Sequence, residues 1–222
     1  MPGAPVGRLS ALEPGETGAE GGAGDDAPLR LGALARHATS FEAPAEAPLL
    51  AVVLTDAAPG GLDRRTLTTF PFPVSMAVPA GRADAASAMA LYREAGMEVV
   101  LAPGAIPAGP AARDIEVAME IWQTALPRSV AMLVPADSPL SESRALIEAL
   151  TAVLDSAGRG LITAAPGLDM VLGAARGAGV PAVSAAAALP AGADRAAIAE
   201  APDKAAFTAR RRGTAIVTGR GD

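Results

Sequence analysis

The sequence predicts an α/β domain built on a mostly parallel sheet. Seven short apolar runs alternate with longer segments whose apolar residues recur at helical spacing. Runs that are apolar at nearly every position are typical of strands buried on both faces, as in parallel sheets. Spacing alone leaves an open sheet and a closed barrel as alternatives, because both are made of the same strand–helix units.

The predicted strands all lie in the region 48–222. The first run is rich in Val and Leu and is bounded by Pro48 and Asp56, and Gly96 precedes the third. The chemistry of parallel α/β folds is found in the loops that follow the strands, so candidate site residues are sought there. The seven strands are predicted at 49–54, 73–78, 98–102, 129–134, 160–164, 181–184 and 214–218.

Helices are predicted between these runs. A helix over 83–95 should end at Gly96, and one over 115–126 should stop before Pro127. Ser138 and Pro139 form a suitable N-cap and first turn for a third helix that ends at Gly158. A fourth is predicted around 170–174, and Trp122 and most methionines fall on the apolar positions of helices or strands, which predicts core packing.

Residues 1–47 are predicted to be a linker, disordered or loosely ordered. Gly, Pro, Ala and Glu dominate this segment, and it has no apolar periodicity that a core could use. The patch 29–37 is compatible with one helical turn. The chain's single histidine, His37, lies here and is expected to be solvated, since a histidine without partner ligands makes no metal site.

Composition excludes several classes of function. The net charge of −6 argues against nucleic-acid binding, which needs a basic face. The absence of cysteine excludes disulfides, thiolate nucleophiles and Cys-based zinc sites. No apolar run reaches the roughly 18–20 residues that a membrane span requires, and the N-terminus lacks the apolar segment of a signal peptide. We therefore expect either a soluble cytosolic protein or a chain whose membrane anchor lies upstream.

Four stretches resemble the divergent polysaccharide deacetylases of bacteria, relatives of metal-dependent carbohydrate deacetylases. They are Ala-Val-Val-Leu-Thr-Asp at 51–56, Pro-Val-Ser-Met-Ala-Val-Pro at 73–79, Ala-Gly-Met-Glu-Val at 95–99 and Arg-Gly-Thr-Ala-Ile at 212–216. The resemblance covers the region 48–222. It implies a seven-stranded distorted (β/α) barrel and a role in carbohydrate metabolism of the cell envelope. It also implies that the full-length parent is periplasmic or membrane-anchored.

The resemblance further implies which residues should carry catalysis, and here the chain departs from the family. The family has a pair of aspartates after the first strand, where this chain has Thr55 and Asp56, so that Asp56 is either a relic of the site or a cap for the following loop. Other family positions have also changed. Ala102 and Pro135 replace histidines, Ile106 replaces a glutamate, Ala165 replaces an aspartate, and Arg220 replaces the histidine after the last strand.

These losses bear on metal chemistry. A catalytic divalent metal needs about three protein ligands, supplied by imidazoles or carboxylates. The region 48–222 contains no histidine, and Asp56 and Asp137 would make at best a weak site for a hard cation. We therefore expect no cofactor and no metal, with zinc only if an atypical site exists.

Three functional hypotheses remain at this point. The first is a catalytically inactive family member that binds a glycan or an envelope protein. The second is an active, metal-dependent carbohydrate N-deacetylase that uses Asp56 and Asp137. The third is an unrelated cytosolic α/β enzyme. The first hypothesis predicts a shallow or filled barrel mouth in which Asp56 is the main ionisable group, and oligomeric state stays open.

Overall fold

The fold is given by a computed structural model that describes residues 32–43, 47–106, 109–141, 143–164, 170–189, 192 and 195–222. All of these belong to one unit that spans Leu31–Asp222. Ala165 and most of the predicted linker 1–47 lie outside the described residues. For those residues the linker therefore stays a prediction.

The described strands form one sheet in which every pairing is parallel. Their order is β6-β5-β4-β3-β2-β1-β8-β7, and the sheet curls into a half-barrel. The distorted-barrel class is confirmed, with eight strands instead of seven. The strands are β1 (Leu49–Thr55), β2 (Ser75–Pro79), β3 (Val99–Ala102), β4 (Ala131–Val134), β5 (Gly160–Thr163), β6 (Ala182–Ser184), β7 (Ala187–Ala188) and β8 (Thr214–Arg220).

The unpredicted strand is β7. It pairs with β8 through Ala187 and Ala188, opposite Val217 and Thr218. Two residues inside an alanine run are too short for any strand pattern to be visible in the sequence. Only the neighbouring strand defines this element.

Seven helices are described: α1 (Ala33–His37), α2 (Arg64–Leu67), α3 (Ala85–Glu94), α4 (Ala112–Ala125), α5 (Arg144–Ala157), α6 (Met170–Gly177) and α7 (Arg195–Arg212). Helix α2 was not predicted. The N-cap prediction for α5 was wrong: Ser138 begins a short 3-10 turn, and Ser143 caps α5 by accepting from Leu146 N. The predicted end is confirmed, since Gly158 adopts the left-handed conformation with φ of 59°.

Apolar side chains cover both faces of the sheet. One face, with Met76 and Leu101, packs against α3, α4 and α5, where Trp122 and Met119 are buried as predicted. The other face forms a second cluster that includes Val53 and the small Ala77. Burial on both faces explains why β2 to β5 are almost entirely apolar. No helix within the described residues is long and apolar enough to cross a bilayer.

Helix α1 contacts the rest of the unit. Ala33 is buried, and Leu34 N donates to Gly158 O at 2.8 Å. Thr39 N donates to Glu98 Oε1 at 2.9 Å. His37 is partly buried, so the expectation that it is fully solvated is wrong. The segment from Gly32 to Thr39 therefore packs on the amino-terminal ends of β3 and β5.

Candidate functional site

A cluster of four charged side chains lies at the carboxyl ends of β1 and β2. Asp56 follows β1 directly, Arg64 is the first residue of α2, and Arg82 and Asp84 follow β2. Because β1 and β2 are parallel neighbours, their carboxyl ends share one edge of the sheet and bring these loops together. This is the edge at which the deacetylase resemblance places the catalytic site.

Asp56 is enclosed by hydrogen-bond donors. Its side chain is fully buried. Oδ2 accepts from Arg64 Nε at 2.7 Å, while Oδ1 accepts from Arg82 Nη1 at 3.3 Å and from Ala58 N at 3.0 Å. Its backbone N–H donates to Ala77 O at 2.8 Å, which fixes Asp56 against β2. The carboxylate is therefore held from several directions and compensated by two guanidinium groups.

Asp84 closes the cluster from the solvent side. Arg82 donates to it in a bidentate manner, from Nε to Oδ1 at 3.0 Å and from Nη2 to Oδ2 at 2.8 Å. Arg64 Nη2 donates to the same Oδ2 at 2.8 Å. These hydrogen bonds, from Arg82 and then from Arg64, lower the pKa of Asp84. Burial acts to lower the pKa of Arg64, but its hydrogen bonds to Asp84 and Asp56 raise that pKa overall.

Tyr92 lies beneath the cluster. Its side chain is fully buried, and its hydroxyl has no hydrogen bond within the described part of the chain. Burial, followed by the negative charge of Asp56, raises the pKa of Tyr92. Tyr92 is therefore a neutral phenol near Asp56 and is not poised to act as a base.

Three of the family positions lie within the sheet or its core. Thr55 ends β1, is partly buried, and accepts from Gly221 N through its backbone oxygen at 2.9 Å. Ala102 ends β3, and its backbone oxygen accepts from Ala80 N at 3.0 Å. Ile106 packs against the main core. The side chains of Ala102 and Ile106 have no atom that could bind a metal, and the only polar group in the side chain of Thr55 is a hydroxyl.

The remaining positions lie at other strand ends. Pro135 and Asp137 are exposed in the loop after β4, and Arg220 at the end of β8 forms an ion pair with Asp222 at 3.3 Å. Ala165 lies outside the described residues. In sheet order, β4 is three positions from β1, or about 14 Å along the sheet. The structure therefore joins Asp56 to Arg64, Arg82 and Asp84 and shows no contact between Asp56 and Asp137.

The donor set does not fit a catalytic divalent metal. Across the described ranges, no three histidine, cysteine, aspartate or glutamate residues converge. Both oxygens of Asp56 already accept hydrogen bonds from arginines, whose positive charges would repel a metal cation at the same place. A cleft of about 450 Å³ opens beside the cluster, with Arg64 and Leu91 among its lining residues. No step of a metal-dependent reaction can be derived from this arrangement.

Sequence reasoning missed three members of the cluster. It expected Asp56 to be the main ionisable group at this edge, but Arg64, Arg82 and Asp84 join it. The signal was present, because Arg82 and Asp84 lie two residues apart in the loop that follows β2. Searching each strand-end loop for charged residues, instead of comparing family positions alone, would have found them.

Solved structures share the fold. An uncharacterised protein, Atu2773 from Agrobacterium tumefaciens C58, superposes with a TM-score of 0.69 at 17% identity, covering 86% of this chain and 83% of that one. A putative cellobiose-phosphate cleavage protein from Enterococcus faecalis V583 gives 0.56 at 10% identity, covering 78% and 80%. A lactam utilization protein from Thermus thermophilus gives 0.51 at 16% identity, covering 78% and 89%. At these identities the likeness establishes the fold alone.

The sequence itself identifies the family. No curated protein matches the chain in sequence. The family model described as divergent polysaccharide deacetylase matches residues 52–221, which is most of the chain. This match overturns the hypothesis of an unrelated α/β enzyme and agrees with the four motif stretches and the parallel half-barrel. The chain belongs to the divergent polysaccharide deacetylase family.

Proposed function

We propose that this domain is a non-catalytic member of the family that acts in carbohydrate metabolism of the cell envelope by binding a glycan. The observation that carries the proposal is the state of Asp56. The carboxylate that the family resemblance assigns to the active site is buried and bonded to Arg64 and Arg82. An ion-pair cluster stands where the family chemistry needs a metal and a free base.

The electrostatics of the cluster support the loss of catalysis. A metal ligand must present a free carboxylate lone pair, but both Asp56 oxygens are hydrogen-bonded to cationic groups. Binding a divalent cation there would require Arg64 and Arg82 to leave, which would strand two partly buried guanidinium groups. The positions that would complete the ligand set are Ala102 and Pro135, whose side chains have no donor atom.

Within the described ranges, the cluster offers no free general base either. Activating water requires a base near neutral pKa within reach of the reacting group. Asp56 is compensated by two arginines, Tyr92 is a buried neutral phenol, and His37 lies by the amino-terminal strand ends. The cluster is therefore suited to holding two loops together and not to moving a proton.

An exposed aromatic pair supports glycan binding. The rings of Phe70 and Phe72, in the loop before β2, lie 5.6 Å apart. They are 36% and 50% exposed, in a chain with only 3% aromatic residues. Exposed apolar patches on a folded protein often mark ligand surfaces, and flat rings can stack on the apolar faces of sugar rings. An envelope protein is the alternative partner.

Two measurements on the purified protein test catalysis. We expect metal content well below one equivalent and no acetate release from acetylated chitooligosaccharides. Near-stoichiometric zinc, cobalt or nickel together with acetate release would contradict the proposal. That result would instead support an active N-deacetylase that uses Asp56 and Asp137.

Glycan binding is tested separately by titration with chitooligosaccharides and peptidoglycan fragments. The double variant Phe70→Ala/Phe72→Ala should lose binding. Phe207→Ala should keep it, because Phe207 is also exposed but lies on α7. Equal affinity of the parent and the double variant would refute the aromatic surface. Binding of an envelope protein without any glycan would replace the glycan by a protein partner.

A further inference from the structure

Positive charge is concentrated at the amino-terminal edge of β3, β4 and β5, opposite the Asp56 cluster. The contributing residues come from four parts of the fold: the last turn of α1, the end of α3, and the residues just before β4 and β5. We call this set the basic edge. It consists of Arg36, His37, Arg93, Arg128 and Arg159.

Docking of α1 assembles the basic edge. Leu34 N donates to Gly158 O at 2.8 Å, which places α1 beside Arg159, the residue before β5. Thr39 N donates to Glu98 Oε1 at 2.9 Å, which anchors the chain after α1 to the start of β3. Strands β3, β4 and β5 are consecutive in the sheet, so their starting residues are neighbours. Arg36 and His37 are thereby carried to the arginines of the other elements.

Arg159 is the deepest member. It is 5% exposed, and within the described residues its guanidinium donates to neutral groups: Nε to Ser129 O and Oγ at 3.2 and 3.1 Å, and Nη2 to Pro127 O at 3.3 Å. Burial, followed by the charge of Arg36, lowers its pKa. A buried cation without a counterion is costly, and a bound anion would relieve that cost.

Among the residues that the structure describes, the other arginines of the basic edge form no ion pair either. Arg93 donates from Nη1 to Met97 O at 3.3 Å, while its Nε is buried without an acceptor in the described ranges. Glu98 attracts Arg93 electrostatically without a hydrogen bond, because its carboxylate oxygens accept from Thr39 N and Ser75 Oγ. None of the ion pairs in the described part of the chain involves an arginine of the basic edge.

The positive charges of the basic edge also act on His37. Its pKa is lowered by burial and then, in order, by the positive charges of Arg36, Arg93, Arg128 and Arg159. An anion bound beside these guanidinium groups would offset their positive charge and raise the pKa of His37. Protonated His37 would then add a further donor to the anion.

We propose that the basic edge is a binding site for a multivalent oxyanion of the phosphate class, either free phosphate or the phosphoryl group of a larger molecule. Guanidinium groups recognise phosphate through paired N–H···O bonds, and the docked α1 adds Arg36 to the edge that holds the other three arginines. The site lies at the opposite edge of the sheet from Asp56 and is independent of the proposed glycan binding.

The chain's single histidine makes the test direct. His37 should give the only histidine resonances in the proton NMR spectrum of the untagged protein, so its pKa can be followed through a pH titration. Inorganic phosphate, added at millimolar concentration against chloride of matched ionic strength, should raise the His37 pKa by about one unit. Repeating the titration with glycerol phosphate asks whether a phosphate ester is accepted.

Two variants complete the design. Arg128→Gln removes an exposed member of the basic edge and should abolish the phosphate-induced shift. Arg113→Gln removes an exposed arginine at the start of α4 and should leave it unchanged. A His37 pKa that moves with neither anion, or that moves equally in Arg128→Gln, would overturn the site. A response to the ester alone would identify a phosphoryl group on a larger molecule as the ligand.

Discussion

Replacing Asp56 by alanine tests whether the charged cluster is structural. The substitution removes three hydrogen bonds and leaves Arg64 and Arg82 partly buried, with side chains that are 18% and 22% exposed. Removing one partner of a buried ion pair costs about 3–5 kcal/mol. Because Asp84 still accepts from both arginines, we expect the lower value, about 3 kcal/mol. For a domain of this size, that lowers the thermal midpoint by roughly 6–12 °C.

The assay is thermal and urea unfolding of the parent and its variants, with metal content measured in parallel. Asp56→Asn, which keeps the shape but loses the charge, should fall between the parent and Asp56→Ala. The matched control is Asp84→Asn. Asp84 is 44% exposed, so its loss should cost no more than about 1 kcal/mol. If the free energy of unfolding of Asp56→Ala lies within about 0.5 kcal/mol of the parent's, which is typical of a surface substitution, the cluster has no structural role.

Three further predictions concern the remaining contacts. Arg82 and Arg64 lower the pKa of Asp84 in the folded protein. The ionised carboxylate therefore stabilises the fold above the ordinary aspartate pKa, and this stabilisation is lost as the pH falls through the lower pKa of the folded state. The urea midpoints of Asp84→Asn and the parent should accordingly differ at pH 6 and converge toward pH 2. Deleting residues 1–31 should leave the thermal midpoint nearly unchanged. Deleting residues 1–47 also removes α1 and should lower the free energy of unfolding by about 2 kcal/mol. Equal thermal midpoints of the two deletion variants would show that α1 adds no stability. Gly158→Ala and Gly96→Ala both place a side chain on a residue with positive φ, but only the one at Gly158 would clash with the start of the α1 segment. Gly158→Ala should therefore lower the thermal midpoint more than Gly96→Ala. Deleting residues 1–47 should make the two variants equally stable.

Much of the fold was visible in the sequence. Strands β1 to β6 and β8 each appear as an apolar run. In β2 to β5, burial on both faces requires apolar residues at successive positions. The failures have local causes. Strand β7 is too short to form a pattern, and α2 has only four residues. The start of α5 was misplaced because Ser138–Pro139 and Ser143 are both plausible first-turn signals, and a 3-10 turn took the first of them.

The candidate site was visible only in part. Asp56 stood out because it directly follows a strand, and the other changed family positions were visible in the loops after the strands once the family resemblance was known. The partners of Asp56 could not be derived in the same way, since pairing Asp56 with Arg82 depends on β2 lying next to β1. The sheet order, which also places β8 on the other side of β1, follows from packing and not from local periodicity.

The sequence by itself determined the alternation of strands and helices, the family, and the lack of any histidine in the region 48–222. These are properties of composition and local pattern, which need no coordinates. The tertiary structure alone decided that Asp56 is neutralised by two arginines and that α1 joins Arg159 at the opposite edge of the sheet. Interactions between charges weaken with distance, and residues far apart in the chain come close to one another only once the sheet has formed.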